Sequence, residues 1–370
     1  MAAGAAVAIN ALSDDRSPDV IAHGLAEQPR SDTARIVSLY AEALRRDSAS
    51  PYRWADLGDA FVANHQLPEA RLCFQRALDL NRRLPQIWLR DANFHFMLGE
   101  NDAAMASASR VLKTVPDYDG VLFNYFDQMI GDTGRVFAVI GQNRRAALSY
   151  VNHLVATGQV DFAISAWQQA FRSGIADKGL TTSYINLLIQ ARRYPAAKRD
   201  WSAFLGLRED DANSLFNGGF EDEPSGAALD WRIQPSDQFE TTIDTSVAHD
   251  GKRSLHIHFL GTENVVYANT TQLVIVRPGS YQLRAWVHTR EITTNEGPRL
   301  EIFDPQKPSS LDVRTGPLLG SWDWTLIDQP FTVPAGTDLI SVRVLRTQSA
   351  KFDNKIAGDF WMDSVQLVRD

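Results

Sequence analysis

The sequence predicts an α + β multidomain chain, a helical repeat solenoid followed by an antiparallel β-sandwich. Large and small residues recur 34 positions apart in the first half, as in Trp54 and Trp88 or Ala70 and Ala104. After Asp211 the helical spacing stops and apolar residues alternate with polar ones. A length of 370 residues exceeds what one core ordinarily organises. The expected segments are an apolar stretch over 1–16, helical repeats over 17–210 and the sandwich over 211–370, with the polar run "LREDDANS" at the join.

The net charge of −8 comes from interspersed acidic and basic residues with no Lys/Arg block. That excludes a nucleic-acid partner held through its phosphates. The single cysteine, Cys73, excludes an internal disulfide and a cysteine-built zinc site, and leaves the compartment open. The start "MAAGAAVAIN" is apolar over about ten residues, too short to span a bilayer. It reads as either a frayed start or the end of a lost membrane segment, and the second reading allows membrane association through the N-terminus.

In "PYRWADLGDAFVANHQLPEARLCFQRALDLN" the order Trp54, Leu57, Gly58, Phe61, Ala70, Phe74, Ala77 resembles the tetratricopeptide repeat, with Phe61 in the tyrosine slot. The same step carries Ala77 to Val111, and the register ends at Pro116, where that repeat expects its proline. Gly24, Tyr40 and Ala43 fill the preceding slots, and Ala163, Trp167 and Ala170 precede Ala197, Trp201 and Phe204 by the same step. Such hairpins bury their faces only against neighbours, so these aromatics are expected to be solenoid core. Between Asp117 and Arg144 the register slips, and a Gly-Asp-Thr-Gly break predicts an atypical pair or a kink. The resemblance implies a groove that takes a protein or peptide.

The second half reads as strands: "SLHIHF", "TQLVIV", "YQLRAWVH", "RLEIFD", "WTLIDQPFTV", "LISVRVLR" and "FWMDSVQLV", separated by Gly, Pro and Asp turns. This is the pattern of an antiparallel sandwich. The order "FNGGFE", "DGKRSL", "PGSYQLRAWV", a Trp before "FTVP" and a final "WMDSVQL" resembles the jelly-roll carbohydrate-binding modules of cellulases and xylanases, a galactose-binding-like architecture, over Leu215 to Arg369. In that family the first and last segments share a structural calcium. The resemblance therefore implies ligands at Glu221, Asp250 and Asp363, with backbone oxygens near Gly219 and Arg253. Calcium favours several hard oxygens, carboxylate and carbonyl mixed. The alternative is that Glu221 and Asp363 cap turns without metal.

Glycan binding needs aromatic surface beside hydrogen-bonding groups. Alternation places Arg284, Trp286 and His288 on one side of their strand, opposite Tyr281, Leu283, Ala285 and Val287. Together with Glu301 and Arg343 they form the expected polar cleft, the alternative being a solvated outer face. Trp231, Trp322, Trp324 and Trp361 read as packing. His256 and His258 share a strand face and, lacking a third ligand nearby, read as a polar face. No glycosidase carboxylate motif, nucleophile elbow, phosphate loop or H-E-x-x-H is present. The expectation is a non-enzymatic scaffold, with a protein partner on the repeats and a polysaccharide or oligosaccharide on the sandwich. It would serve surface polysaccharide synthesis or export, in the periplasm or cell envelope, with the cytoplasm as the alternative. The rivals are a purely structural adaptor and a glycan-processing enzyme.

Overall fold

The computed structural model describes residues 17–28, 32–207, 215–352 and 354–369. The expected apolar segment 1–16 and most of the polar join lie outside them. By contact density the chain forms two compact units that divide at Tyr150/Val151, whereas the change from helix to strand follows residue 205.

The first unit is built of helical hairpins: α1 (Pro18–Ala26), α2 (Thr33–Arg46), α3 (Pro51–Ala63), α4 (Leu67–Leu80), α5 (Pro85–Met97) and α6 (Asn101–Leu112). Pro18, Pro51 and Pro85 open α1, α3 and α5, where a missing N–H costs nothing and φ is already helical. Asp32 and Ser50 cap α2 and α3 by accepting from the amides of Arg35 and Arg53. The 34-residue period is physical, since Arg90 on α5 donates to Asp56 on α3 at 2.7 Å across that separation. Phe74 and Phe94 pack with centroids 5.1 Å apart in the core between α3, α4 and α5. Gly58 lies on the Phe74 ring, and a Cβ there would stand 3.1 Å from Phe74 Cζ.

The slip in register is a structural break. A 3₁₀ turn at Pro116–Tyr118 leads into the short α7 (Asp119–Tyr125), which runs into a π-helical turn, Phe126–Ile130. Gly131, with φ of +60°, ends it before α8 (Thr133–Ile140). After α9 (Arg144–Ala156) the regular step returns: α10 (Val160–Arg172) and α12 (Tyr194–Leu205) start 34 residues apart, at 160 and 194, flanking α11 (Lys178–Gln190).

In the second unit the strands are β1 (Arg232–Ile233), β2 (Phe239–Asp244), β3 (Ser254–Leu260), β4 (Thr270–Ile275), β5 (Gly279–Ile292), β6 (Arg299–Phe303), β7 (Asp312–Arg314), β8 (Gly320–Val333), β9 (Leu339–Leu345) and β10 (Ala357–Arg369). All seven runs read as strands are strands; β1, β2 and β7 were not among them. Two antiparallel five-stranded sheets result, sheet I in the order β1-β4-β9-β6-β7 and sheet II in the order β2-β3-β10-β5-β8. Their inner faces, including Leu255, Ile257, Leu283, Val287 and Met362 against Leu300, Ile302, Val342 and Val344, form one core.

The unusual "NGGFE" stretch closes this core. Phe220 and Trp231, both fully buried, stack at 5.2 Å, and Trp231 Nε1 donates to the Asn217 carbonyl at 3.0 Å. The Gly218 carbonyl accepts from Val365 N at 2.9 Å, and any Cβ on Gly218 would collide with the Val365 carbonyl. The last helices dock on sheet I and the turn before it. Asn186 of α11 accepts from Ala228 N at 2.8 Å and from Arg232 Nη2 at 2.6 Å, and Trp201 of α12 meets Phe216 edge-on at 5.6 Å. A pocket of about 340 Å³ separates Trp201 and Lys198 from Leu273 and Ile275 on the outer side of β4.

Gly58→Leu forces a branched chain into the Phe74 ring and is expected to cost about 1–3 kcal/mol. Neighbouring hairpins should loosen with it. Hydrogen exchange across 51–112 checks this, and wild-type protection in the variant would contradict the packing.

Candidate functional site

Strand alternation sends Arg284, Trp286 and His288 to the outer face of sheet II, as expected, and the register brings β10 and β3 residues beside them. Asp363 pairs with Trp286, Trp361 lies between His256 and His288, and Asp359 lies between His258 and Arg290. The rings form a ladder standing on the sheet. His249 stacks on Trp286 with centroids 3.9 Å apart and planes at 14°. Trp361 packs against His256 at 4.5 Å and His288 at 4.9 Å, while Trp324 lies 5.6 Å from both His249 and His288. One face of Trp286 is therefore covered by a histidine from a loop distant in sequence.

Carboxylates hold this ladder upright. Trp361 Nε1 donates to Asp244 Oδ2 at 2.9 Å. Burial works against the Asp244 anion, but hydrogen bonds from Ser246, Trp361 and backbone amides outweigh it and hold its pKa at about 2. Asp359 accepts from His256 Nε2 at 2.9 Å, His258 Nδ1 at 2.8 Å and Arg290 Nη2 at 2.7 Å. Burial opposes its charge too, and these donors overcome that and keep the carboxyl below its ordinary range. Among the described residues no cluster of three or more His, Cys, Asp or Glu side chains is arranged to hold a metal ion.

Glu301 and Arg343 do not join this face. Both lie on sheet I, where Arg343 pairs with Glu301 across β9 and β6. Glu301 is buried, accepting from Arg343 Nε and from Arg314 Nε, the latter at 2.7 Å, and the Arg343 guanidinium lies 4.4 Å over the Phe303 ring. The expected single cleft is thus divided between two sheets. Alternation separates inside from outside but does not say which sheet a strand enters.

Trp322, read as packing, is 43% exposed. Thr289 Oγ1 accepts from its amide at 3.1 Å, its carbonyl accepts from His288 Nδ1 at 2.7 Å, and its Nε1 donates to the Leu319 carbonyl at 2.7 Å. An accessible ring with every polar group committed is a rigid apolar surface. Of the other three tryptophans read as packing, Trp231 and Trp361 are buried, and Trp324 is partly exposed.

The expected metal ligands divide as well. Asp363 is fully buried, accepting at Oδ2 from His249 N at 2.8 Å and Asp250 N at 3.0 Å, and at Oδ1 from Ser364 N at 2.6 Å. Glu221 Oε1 accepts from Lys252 N at 2.7 Å and Arg253 N at 3.0 Å. A Cβ at Gly219 would lie 3.7 Å from Asp363 Oδ1 and 3.9 Å from Glu221 Cγ, so these three residues converge. Asp250 instead turns its carboxylate outward to accept from Gly251 N at 2.8 Å, and contributes only its amide. Buried Asp363 and exposed Glu221, neither ion-paired to a side chain among the described residues, offer oxygens of the kind a hard cation takes; a three-carboxylate site is not formed among the described residues.

No family model and no curated protein matches the chain. Solved structures resemble parts of it. A family 16 carbohydrate-binding module is 20% identical, with a TM-score of 0.29, over 42% of this chain and 99% of its own. The CBM22-1 xylan-binding domain from Paenibacillus barcinonensis is 11% identical, TM-score 0.28, over 43% and 93% respectively. MamA is 17% identical, TM-score 0.25, over 39% of this chain and 89% of its own.

Asp359→Asn is expected to cost about 1–3 kcal/mol at pH 7, because two histidines and an arginine lose their anion. The folded pKa is depressed, so the stabilisation is present above the ordinary value of 3.8 and disappears as pH falls through the lowered one. Urea unfolding between about pH 7 and pH 2 should show wild type and variant converging in acid.

Proposed function

We propose that the protein is a non-catalytic scaffold whose sandwich binds carbohydrate on the outer face of sheet II, while its tetratricopeptide-like hairpins recruit a polypeptide partner. The supporting observation is Trp322: an exposed ring held at all its polar groups, its carbonyl taking the His288 Nδ1 of the aromatic ladder. A sugar presents an apolar C–H face and a rim of hydroxyls. A rigid indole takes the first without an ordering cost and the flanking Arg, His and Asp groups take the second. Synthesis or export of a surface polysaccharide at the cell envelope is the setting we assign to it.

Trp322→Ala should lower retention on immobilised neutral and acidic polysaccharides at least tenfold with the melting temperature nearly unchanged. If the wild type retains on none, the sandwich is a structural adaptor. That second reading has its own support, since α11 and α12 occupy one side of sheet I through Asn186, Trp201 and Lys198.

We further assign a structural calcium to the junction of Glu221, Asp363 and the backbone oxygens around Gly219. Bound there, the ion would balance the buried Asp363 charge and join the first and last segments of the sandwich. Because such a ligand binds only the folded state, a chelator should lower the melting temperature of the full chain and excess calcium should restore it. A melting curve indifferent to chelator would remove the site.

A further inference from the structure

The first unit carries a recess unrelated to the sandwich. About 280 Å³ in volume, it opens between α1, α2, α3 and α5. Its polar wall follows the repeat: His23, Asp56 and Arg90 are each the sixth residue of a proline-initiated helix, so three successive hairpins present the same position to one space. Ile36, Ala60 and Ala63 supply the apolar wall.

The groups in the recess are mismatched. Arg90 serves both carboxylates, with Nη1 at 2.7 Å from Asp56 and Nε at 3.3 Å from Asp59, leaving one negative charge in excess. Asp59 keeps 52% of its side-chain surface accessible, yet the surrounding protein displaces enough water to push its carboxyl up to about 6. Tyr40, only 7% exposed, also lines the recess, and among the described residues no hydrogen-bond partner reaches its hydroxyl. The nearby Asp19 is already paired with Arg53, at 3.4 Å. His23 contacts Glu27 at the exposed rim.

A guest must therefore donate several hydrogen bonds, carry positive charge and have an apolar stem. A primary ammonium has three donors and no acceptor, and a lysine chain reaches such a group through four methylenes that pack on alanine and isoleucine. We propose that this recess binds a lysine side chain of a partner polypeptide, its ammonium shared among Asp59, Asp56 and the Tyr40 hydroxyl. An acidic side chain is rejected by the excess negative charge, and an arginine would bring a second guanidinium against Arg90.

The test uses the full chain with labelled Ala and Ile methyls, titrated with acetyl-Gly-Ser-Lys-Ser-Gly-amide and with the same peptide carrying Glu or norleucine. The Lys peptide should shift the Ala60, Ala63 and Ile36 signals saturably, at least tenfold more tightly than either control. Asp59→Asn should weaken it at least fivefold with the remaining spectrum unchanged. Tyr40→Phe, which keeps the ring, should weaken it at least twofold and stands in if Asp59→Asn perturbs the fold. Equal response to norleucine, preference for Glu, undiminished binding by both variants, or no saturable response to any peptide would each overturn the proposal.

Discussion

The outer face of sheet II depends on one buried anion. Asp363, at the bulge where β10 shifts register against β5, takes the amides of His249 and Asp250 on one oxygen and that of Ser364 on the other. The first two bonds bring the His249 loop over the sheet and set its imidazole on Trp286. From there the order passes to Trp324, His288 and Trp361 by ring contact. A carboxylate with no accessible surface is costly unless its lone pairs are filled. The same need that gathers backbone amides around Asp363 therefore arranges the aromatic surface above it.

Much of this was legible in the residues. The 34-residue spacing located the regular hairpins, because a repeat must place its small residues at each close helix crossing, as Gly58 does on Phe74. Period-two alternation located seven strands and the outward direction of Arg284, Trp286 and His288. The sheet that receives a strand is decided by long-range pairing, which alternation does not encode, so Glu301 and Arg343 were assigned to a face they do not share. His249 covers Trp286 only because Asp363, 114 residues later, holds its backbone. Asp250 accepts from the next amide of its own turn, a local bond that short acidic side chains form readily and that strand spacing does not reveal. Trp322 was read as packing since exposure of a single tryptophan leaves no periodic mark.

The two sheets are put to different uses. Sheet I has α11 and α12 beside its outer side, with Leu339, Ser341 and Leu345 buried there. Sheet II keeps accessible groups along its outer face, Leu326 and Arg290 among them. A sandwich has two outer faces and needs neither for its core, so one can serve internal packing and the other recognition.

The π-helical turn between α7 and α8 bears on how the helical array responds to stress. In a stack where each hairpin leans only on its neighbours, cooperativity passes from one interface to the next. Here the chain offers a helix of seven residues, a widened turn and a helix of eight. Helices this short bring little stability of their own. The segment is therefore held by its packing rather than by helix length, with Leu122, Phe123, Phe126 and Val136 buried and Arg145 paired to Asp119 at 2.5 Å, so its order is tied to the neighbours on either side.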